Sequence, residues 1–270
     1  MRSTGKVLLL VLASTLVWIV VLAPASVVTR GLPANLPLVL QGISGTLWSG
    51  SVARAALTQH GQVLVQGRLT WRVRPLSLLH LSPCVELGFI TSGLSSAPAG
   101  SAAQSGSAAG IACMSIGGDV ALHDINFDLP AEYFLRSGEL RLGGVVSGRV
   151  SSLTWQSGAL TALSGDGLWS DARILGNEVD IALQTLPFVV HRESDDSILV
   201  QIDNSDLLGQ QVDTPLHVSL QTTLSLDGSF HSRAKLTVQS QTPDSLVGLL
   251  DVMAEPHGAG LYKLEIRSQH

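Results

Sequence analysis

Between Lys6 and Pro24 every residue is apolar except Ser14 and Thr15. Such a run has to leave water, into a bilayer or a protein core, and that choice governs how the rest of the chain can fold. At 1.5 Å rise per residue, a helix from Val7 to Val28 covers roughly 30 Å, the thickness of a bilayer core. The expectation is an uncleaved transmembrane anchor within residues 1–30, carrying Val7, Leu12, Trp18 and Leu22. The competing reading is a cleaved secretory signal, since Ala23-Pro24-Ala25 has the small-x-small form of a cleavage site. The run is longer than the roughly 7–15 residues of a signal's apolar region. On either reading, residues beyond about 30 leave the cytoplasm. Arg2, Lys6 and the amino terminus, set against Arg30, place the N-terminus inside.

Only 14% of residues are charged while 45% are hydrophobic, and Ser, Thr, Gln and Gly carry much of the polarity. That profile fits an exported β-rich protein better than a cytosolic helical one. A net charge of −5 and the lack of any Lys/Arg run exclude a nucleic-acid footprint.

Cys84 and Cys113 flank a small, uncharged, low-complexity stretch beginning at Gly93. It holds too little apolar surface to order itself, so a flexible loop is expected over 92–111. In an oxidising compartment a Cys84–Cys113 disulfide would tie its base, and two unpaired thiols are the alternative. A zinc pair lacks neighbours, His80 and His123 being the nearest histidines.

Beyond the anchor, period-2 alternation dominates. Val63, Val65, Leu69, Trp71 and Val73 share one face of a strand, and Gln66, Arg68, Thr70 and Arg72 the other. Leu216 to Leu226 alternates likewise, with shorter examples at 179–183, 198–202, 236–238 and 262–266. Strands with one apolar and one polar face belong to antiparallel sheets. Asp227-Gly228 reads as a hairpin turn, His60-Gly61 and Gly176-Asn177 as weaker ones. Thr242-Pro243-Asp244 opens a helix over 243–253 whose Leu246, Leu249, Leu250 and Met253 form one face.

Two phrases recur. Gly45-Thr46-Leu47-Trp48-Ser49 is echoed by Gly167-Leu168-Trp169-Ser170, and Leu69-Thr70-Trp71 by Leu153-Thr154-Trp155. Trp48, Trp71, Trp155 and Trp169 are expected as core plugs, each able to bury on the order of 200 Å². A groove for an acyl chain or a partner strand is the functional alternative. Signatures of catalysis are missing from the sequence: no Gly-x-Ser-x-Gly, no His-Glu-x-x-His and no phosphate loop. The eight histidines never fall at metal-ligand spacing. His191-Arg192-Glu193-Ser194-Asp195-Asp196 lacks the glycine and spacing of a calcium loop and reads as a solvated hairpin tip. No catalytic, cofactor or metal residue is assigned.

The phrase Gly42-Ile43-Ser44-Gly45-Thr46-Leu47-Trp48-Ser49-Gly50-Ser51, followed by Leu69-Thr70-Trp71-Arg72-Val73-Arg74-Pro75-Leu76-Ser77-Leu78, resembles the N protein family of the bacterial type II secretion system. The ending, Leu246 to Leu250 and then Gly260-Leu261-Tyr262-Lys263-Leu264, is similar to that family's. The resemblance marks Gly45, Leu47, Trp48, Gly50, Trp71, Pro75, Trp155 and Trp169 as family-motif and core positions. It implies a single-pass bacterial inner-membrane protein with most of its chain in the periplasm. Such a protein is a non-catalytic part of the apparatus exporting folded proteins across the outer membrane, without a cofactor. Its partners would be other secretion-system proteins and the inner membrane. A lipid-binding or envelope-bridging protein with an apolar β groove is the alternative. The expected fold is mainly β: the anchor, then one large, curved, mostly antiparallel β domain over 31–270, sandwich-like or taco-like, with few short helices.

Overall fold

The computed structural model describes residues 38–59, 62–80, 82–91, 105–115, 117–133, 136–137, 140–156, 159–176, 180–204, 216–225, 229–239, 242, 244–258 and 260–267. Of the N-terminal stretch it describes residues 11–12, 14–15, 18–19 and 21–27. The chain divides into two compact units, residues 1–105 with 111–113, and residues 106–110 with 114–270. Both are built from antiparallel strands.

The first unit carries β1 (Leu38–Gly45), β2 (Ser49–Gln59), β3 (Gln62–Arg74) and β4 (Cys84–Thr91), each paired to the next. Among the described residues, Val52, Ala55 and Ala56 of β2 are its buried apolar residues on the sheet. A 3-10 turn, Pro75–His80, joins β3 to β4. Ser77 Oγ donates to Arg74 O at 2.6 Å and accepts from Cys84 N at 2.8 Å, which fixes that corner. Cys84 and Cys113 form a disulfide, their Cα atoms 4.0 Å apart. Strand β5 (Ser107–Met114) takes in residues 107–111 of the stretch expected as a loop. Its backbone is paired into the sheet and joined to β4 by the disulfide. Residues 92–104 lie outside the described residues.

In the N-terminal stretch the described residues 11–12, 14–15, 18–19, 21 and 26–27 are helical, and Leu22 N donates to Trp18 O at 2.9 Å. The helical turn is interrupted at residues 23–25, where Pro24 forms a β-bridge with Thr46. Proline cannot donate the next helical hydrogen bond. Among the described residues, no helix is long and apolar enough to cross a membrane. Leu12, Trp18 and Leu22 are exposed, and Val7 lies outside the described residues.

The second unit contains β6 (Val120–Pro130), β7 (Arg136–Ser137), β8 (Leu140–Gln156), β9 (Ala159–Leu175), β10 (Asp180–Ser194), β11 (Ser197–Asp203), β12 (Leu216–Ser225), β13 (Phe230–Val238), α1 (Asp244–Met253), β14 (Glu255–Pro256) and β15 (Leu261–Arg267). Its strands run β6-β8-β9-β10-β11-β12-β13-β15-β14, with β7 on β8. The register separates two faces. Phe127, Gly148, Gly167, Phe188, Ile202, Leu220, Ala234 and Leu264 are successive partners across eight strands. One position away, the partners are Asn126, Arg149, Asp166, Val189, Gln201, Gln221, Arg233 and Glu265. Because side chains alternate across a pleated strand, the first row lies on the apolar face and the second on the polar one. Bulges at Gly144 and Gln184, with Asp171 at φ 49, break the register of β8, β9 and β10 at neighbouring positions and bend the sheet there.

Helix α1 covers one end of the apolar face. Leu246 and Leu250 pack with Leu216, Val218 and Tyr262, and the cluster extends to Ala172 and Leu186. The side chains of Leu249 and Met253 lie outside the described residues. Asn204 closes the gap between β11 and β12: its amide donates to Leu216 O at 3.0 Å and accepts from Val218 N at 2.7 Å. Elsewhere the apolar face is half-buried, Phe127, Phe188 and Ile202 included. The polar cluster at 191–196 forms the β10–β11 tip, where Arg192 pairs with Asp195. The Asp227-Gly228 and His60-Gly61 turns, and Asn177, lie outside the described residues.

Candidate functional site

Six of the eight motif residues converge on the β1–β2 hairpin and the strand behind it. Gly45 leaves β1 at φ +98, a conformation that a side chain disfavours, and its added Cβ would lie 2.5 Å from Ser49 O. Thr46 N then donates to Ser49 O at 2.8 Å to close the turn. Leu47 and Trp48 occupy its tip. Two bonds tie the tip to β3: the Trp71 indole N–H donates to Leu47 O at 3.2 Å, and Val73 N to Trp48 O at 2.7 Å. Gly50, opposite Trp71 in register, leaves room for the indole. Pro75 follows two residues beyond Val73 and starts the 3-10 turn.

The hairpin also receives the residues that follow the apolar helix. Leu47 N donates to Ala23 O at 2.9 Å, and Ala25 N to Gly45 O at 3.1 Å. Ala25 is buried to 2% exposure. The motif therefore builds a socket for residues 23–25, a role that alternation and motif matching do not reveal. The only sequence signal for it was a proline between two alanines directly after the apolar run.

The core expectation needs correction at four positions. Gly45, Leu47, Pro75 and Trp155 are exposed, because three sit in turns and Trp155 lies beside a bulge at the end of the β8–β9 hairpin. Trp48, Trp71 and Trp169 are half-buried. The repeated phrases do not occupy equivalent places. Trp48 lies in a turn, whereas Trp169 lies within β9 and donates to Gly143 O at 2.9 Å. Trp169 thus bonds as Trp71 does, its indole N–H donating to a backbone carbonyl.

Among the described residues, the electrostatic perturbations arise at two ion-paired carboxylates and at one phenol–carboxylate hydrogen bond. Arg149 holds Asp124 below the usual carboxylate range. Arg267 and His231 together bring Glu265 down to about 2. The Asp251 carboxylate accepts the Tyr262 hydroxyl at 2.7 Å and pushes that phenol up. Among the described residues no group of three or more His, Cys, Asp or Glu side chains is placed to hold a metal ion.

A family model described as "Type II secretion system (T2SS), protein N" matches residues 37–265. A curated protein from Aeromonas hydrophila, "Type II secretion system protein N", is 41% identical over 90 residues. That match spans 33% of this chain and 34% of the relative, about a third of its length. No solved structure matches.

Proposed function

Because the chain belongs to the type II secretion system protein N family, we propose that it is an inner-membrane-anchored, periplasmic and non-catalytic component of that apparatus, serving export of folded proteins across the outer membrane. The observation that carries this reading is the family match over residues 37–265. Two features support the location. The exposed apolar residues Val11, Leu12, Trp18, Ile19 and Leu22 suit a lipid environment. A disulfide suits an oxidising compartment such as the periplasm. A helix over Val7–Leu22 covers about 24 Å, and snorkelling of Lys6 accommodates the remaining mismatch. The β domain then acts as a scaffold whose exposed edge at β1 offers backbone groups to other secretion-system proteins.

The test is deletion of the gene in its host, with complementation by the full chain and by a chain lacking residues 1–22. Retention of secreted proteins in the periplasm, restored by the full chain alone, is the expected result. Normal secretion without the protein, or full rescue by the unanchored chain, overturns the reading.

One observation favours a second reading, a lipid-binding or envelope-bridging protein. The apolar row from Phe127 to Leu264 is continuous across eight strands, and among the described residues α1 covers one end of that face. Mass spectrometry of the purified protein for stoichiometric phospholipid or lipopolysaccharide discriminates the two.

A further inference from the structure

Ala23 directly follows the last residue of the helical turn, and its carbonyl is bonded to Leu47. Consecutive Cα atoms are about 3.8 Å apart, so the hairpin tip is fixed within one residue of the apolar segment's end. The headgroup layer beyond each side of a bilayer core is about 5–8 Å thick. Given the anchor proposed above, on which this inference rests, a tip held that close cannot stand clear of the lipid. We propose that the Thr46–Trp48 hairpin tip is a membrane-contact element that seats the first unit on the phospholipid surface.

The residue chemistry fits that surface. Leu47, at the tip, is exposed, a cost in water that disappears at an interface. Trp48 beside it is half-buried and belongs to the residue type favoured at headgroup level. Arg72, opposite Ser49 in register, is exposed and makes no ion pair among the described residues, whereas Arg74 is paired with Glu86. Arg72 is therefore free to meet lipid phosphate. The Pro24–Thr46 bridge and the bonds of Leu47 and Ala25 make the connection rigid, so the anchor fixes the tilt of the first unit as well as tethering it.

The two native cysteines are paired, so an introduced cysteine is the sole free thiol. Leu47→Cys and, separately, Leu12→Cys are labelled with a thiol-reactive fluorophore in the full chain. Each is reconstituted in phosphatidylethanolamine/phosphatidylglycerol vesicles carrying a nitroxide on the headgroup or deep in the acyl chain. The expected result is stronger quenching of the Leu47→Cys label by the headgroup nitroxide, and of the Leu12→Cys label by the acyl-chain nitroxide. An intact Cys84–Cys113 disulfide on non-reducing electrophoresis certifies the folded state of each variant. Quenching at 12 with none at 47 overturns the contact and leaves the anchor standing. Quenching at neither site overturns both. Quenching at 47 alone supports the contact and removes the anchor.

Discussion

The indole of Trp71 lies across Gly50, its register partner on β2, so closely that a Cβ on Gly50 would fall 2.3 Å from the ring's Cζ2. The same Cβ would sit 2.5 Å from Ser44 O, a backbone atom that cannot swing away. Gly50→Ala therefore has to push the indole out or distort the hairpin, a typical overpacking cost of about 1–3 kcal/mol. Urea unfolding followed by tryptophan fluorescence measures it. In a Trp71→Ala background the cost should shrink without vanishing, because the clash with Ser44 O remains.

The second unit uses the same device twice, with Phe127 over Gly148 and Phe188 over Gly167. Added Cβ atoms there would lie 2.8 Å and 2.4 Å from the ring Cζ atoms. An aromatic ring compensates a glycine's weak strand propensity by covering its bare backbone. Gly167→Ala should therefore destabilise the chain, and Phe188→Leu should partly restore it by making room. A double-mutant cycle from urea midpoints checks the coupling, and additive effects would contradict it.

Cys84 and Cys113 are 29 residues apart, and their bond closes a loop of roughly that length. On the chain-entropy model this restricts the unfolded state by about 3.5 kcal/mol. Reduction, or the double substitution to serine, should lower stability by about that amount, read from urea denaturation with and without reductant. A negligible change would mean that sheet pairing alone holds β4 and β5.

Helix α1 covers one end of the apolar face, so its removal should uncover that end. Leu250 is 7% exposed and packs with Leu216, Val218 and Tyr262. Leu250→Ala should cost about 2–5 kcal/mol, while Val252→Ala, at an 84% exposed position, should cost little. The Tyr262 phenol, bonded to Asp251, should titrate above its ordinary value of 10.0, and Asp251→Asn should bring it back down. Its contribution to stability is present below pH 10 and is lost as pH rises through the folded midpoint. Ultraviolet titration of the phenol in the two chains measures the difference.

Strands and helix α1 were legible because their signals are periodic. The alternation at Val63–Val73 sits inside β3, and the Thr242-Pro243-Asp244 start precedes α1. The burial of individual motif residues was not legible. Leu47 looks like a core residue, yet its place at a turn tip is set by Gly45's positive φ, by the bond from Trp71 and by its own N–H bond to Ala23 O. Those are long-range pairings that no local window contains. Strand β5 was hidden for a related reason, since Ala108, Ala109 and Gly110 gain order from neighbouring strands rather than from their own side chains. The two-faced row from Phe127 to Leu264 needed the register of every strand pair, and bulges shift that register by steps the sequence does not announce.

Glu265 lies on the polar face of β15, opposite Arg233, and pairs with Arg267 and His231. Its carboxyl is held at about 2 against an ordinary 4.5, with the Arg267 hydrogen bond as the largest cause. A depressed carboxyl favours the folded state as long as it is ionised there, and fully once it is ionised in both states. The contribution is therefore complete above pH 4.5 and disappears as pH falls toward 2. The side chain is half exposed, so salt should screen the effect. Urea midpoints measured across this range should fall less steeply for Glu265→Gln than for the native chain, and the gap between the two should narrow in high salt. Parallel curves would mean that the cluster at β13 and β15 does not contribute to the acid sensitivity of the fold.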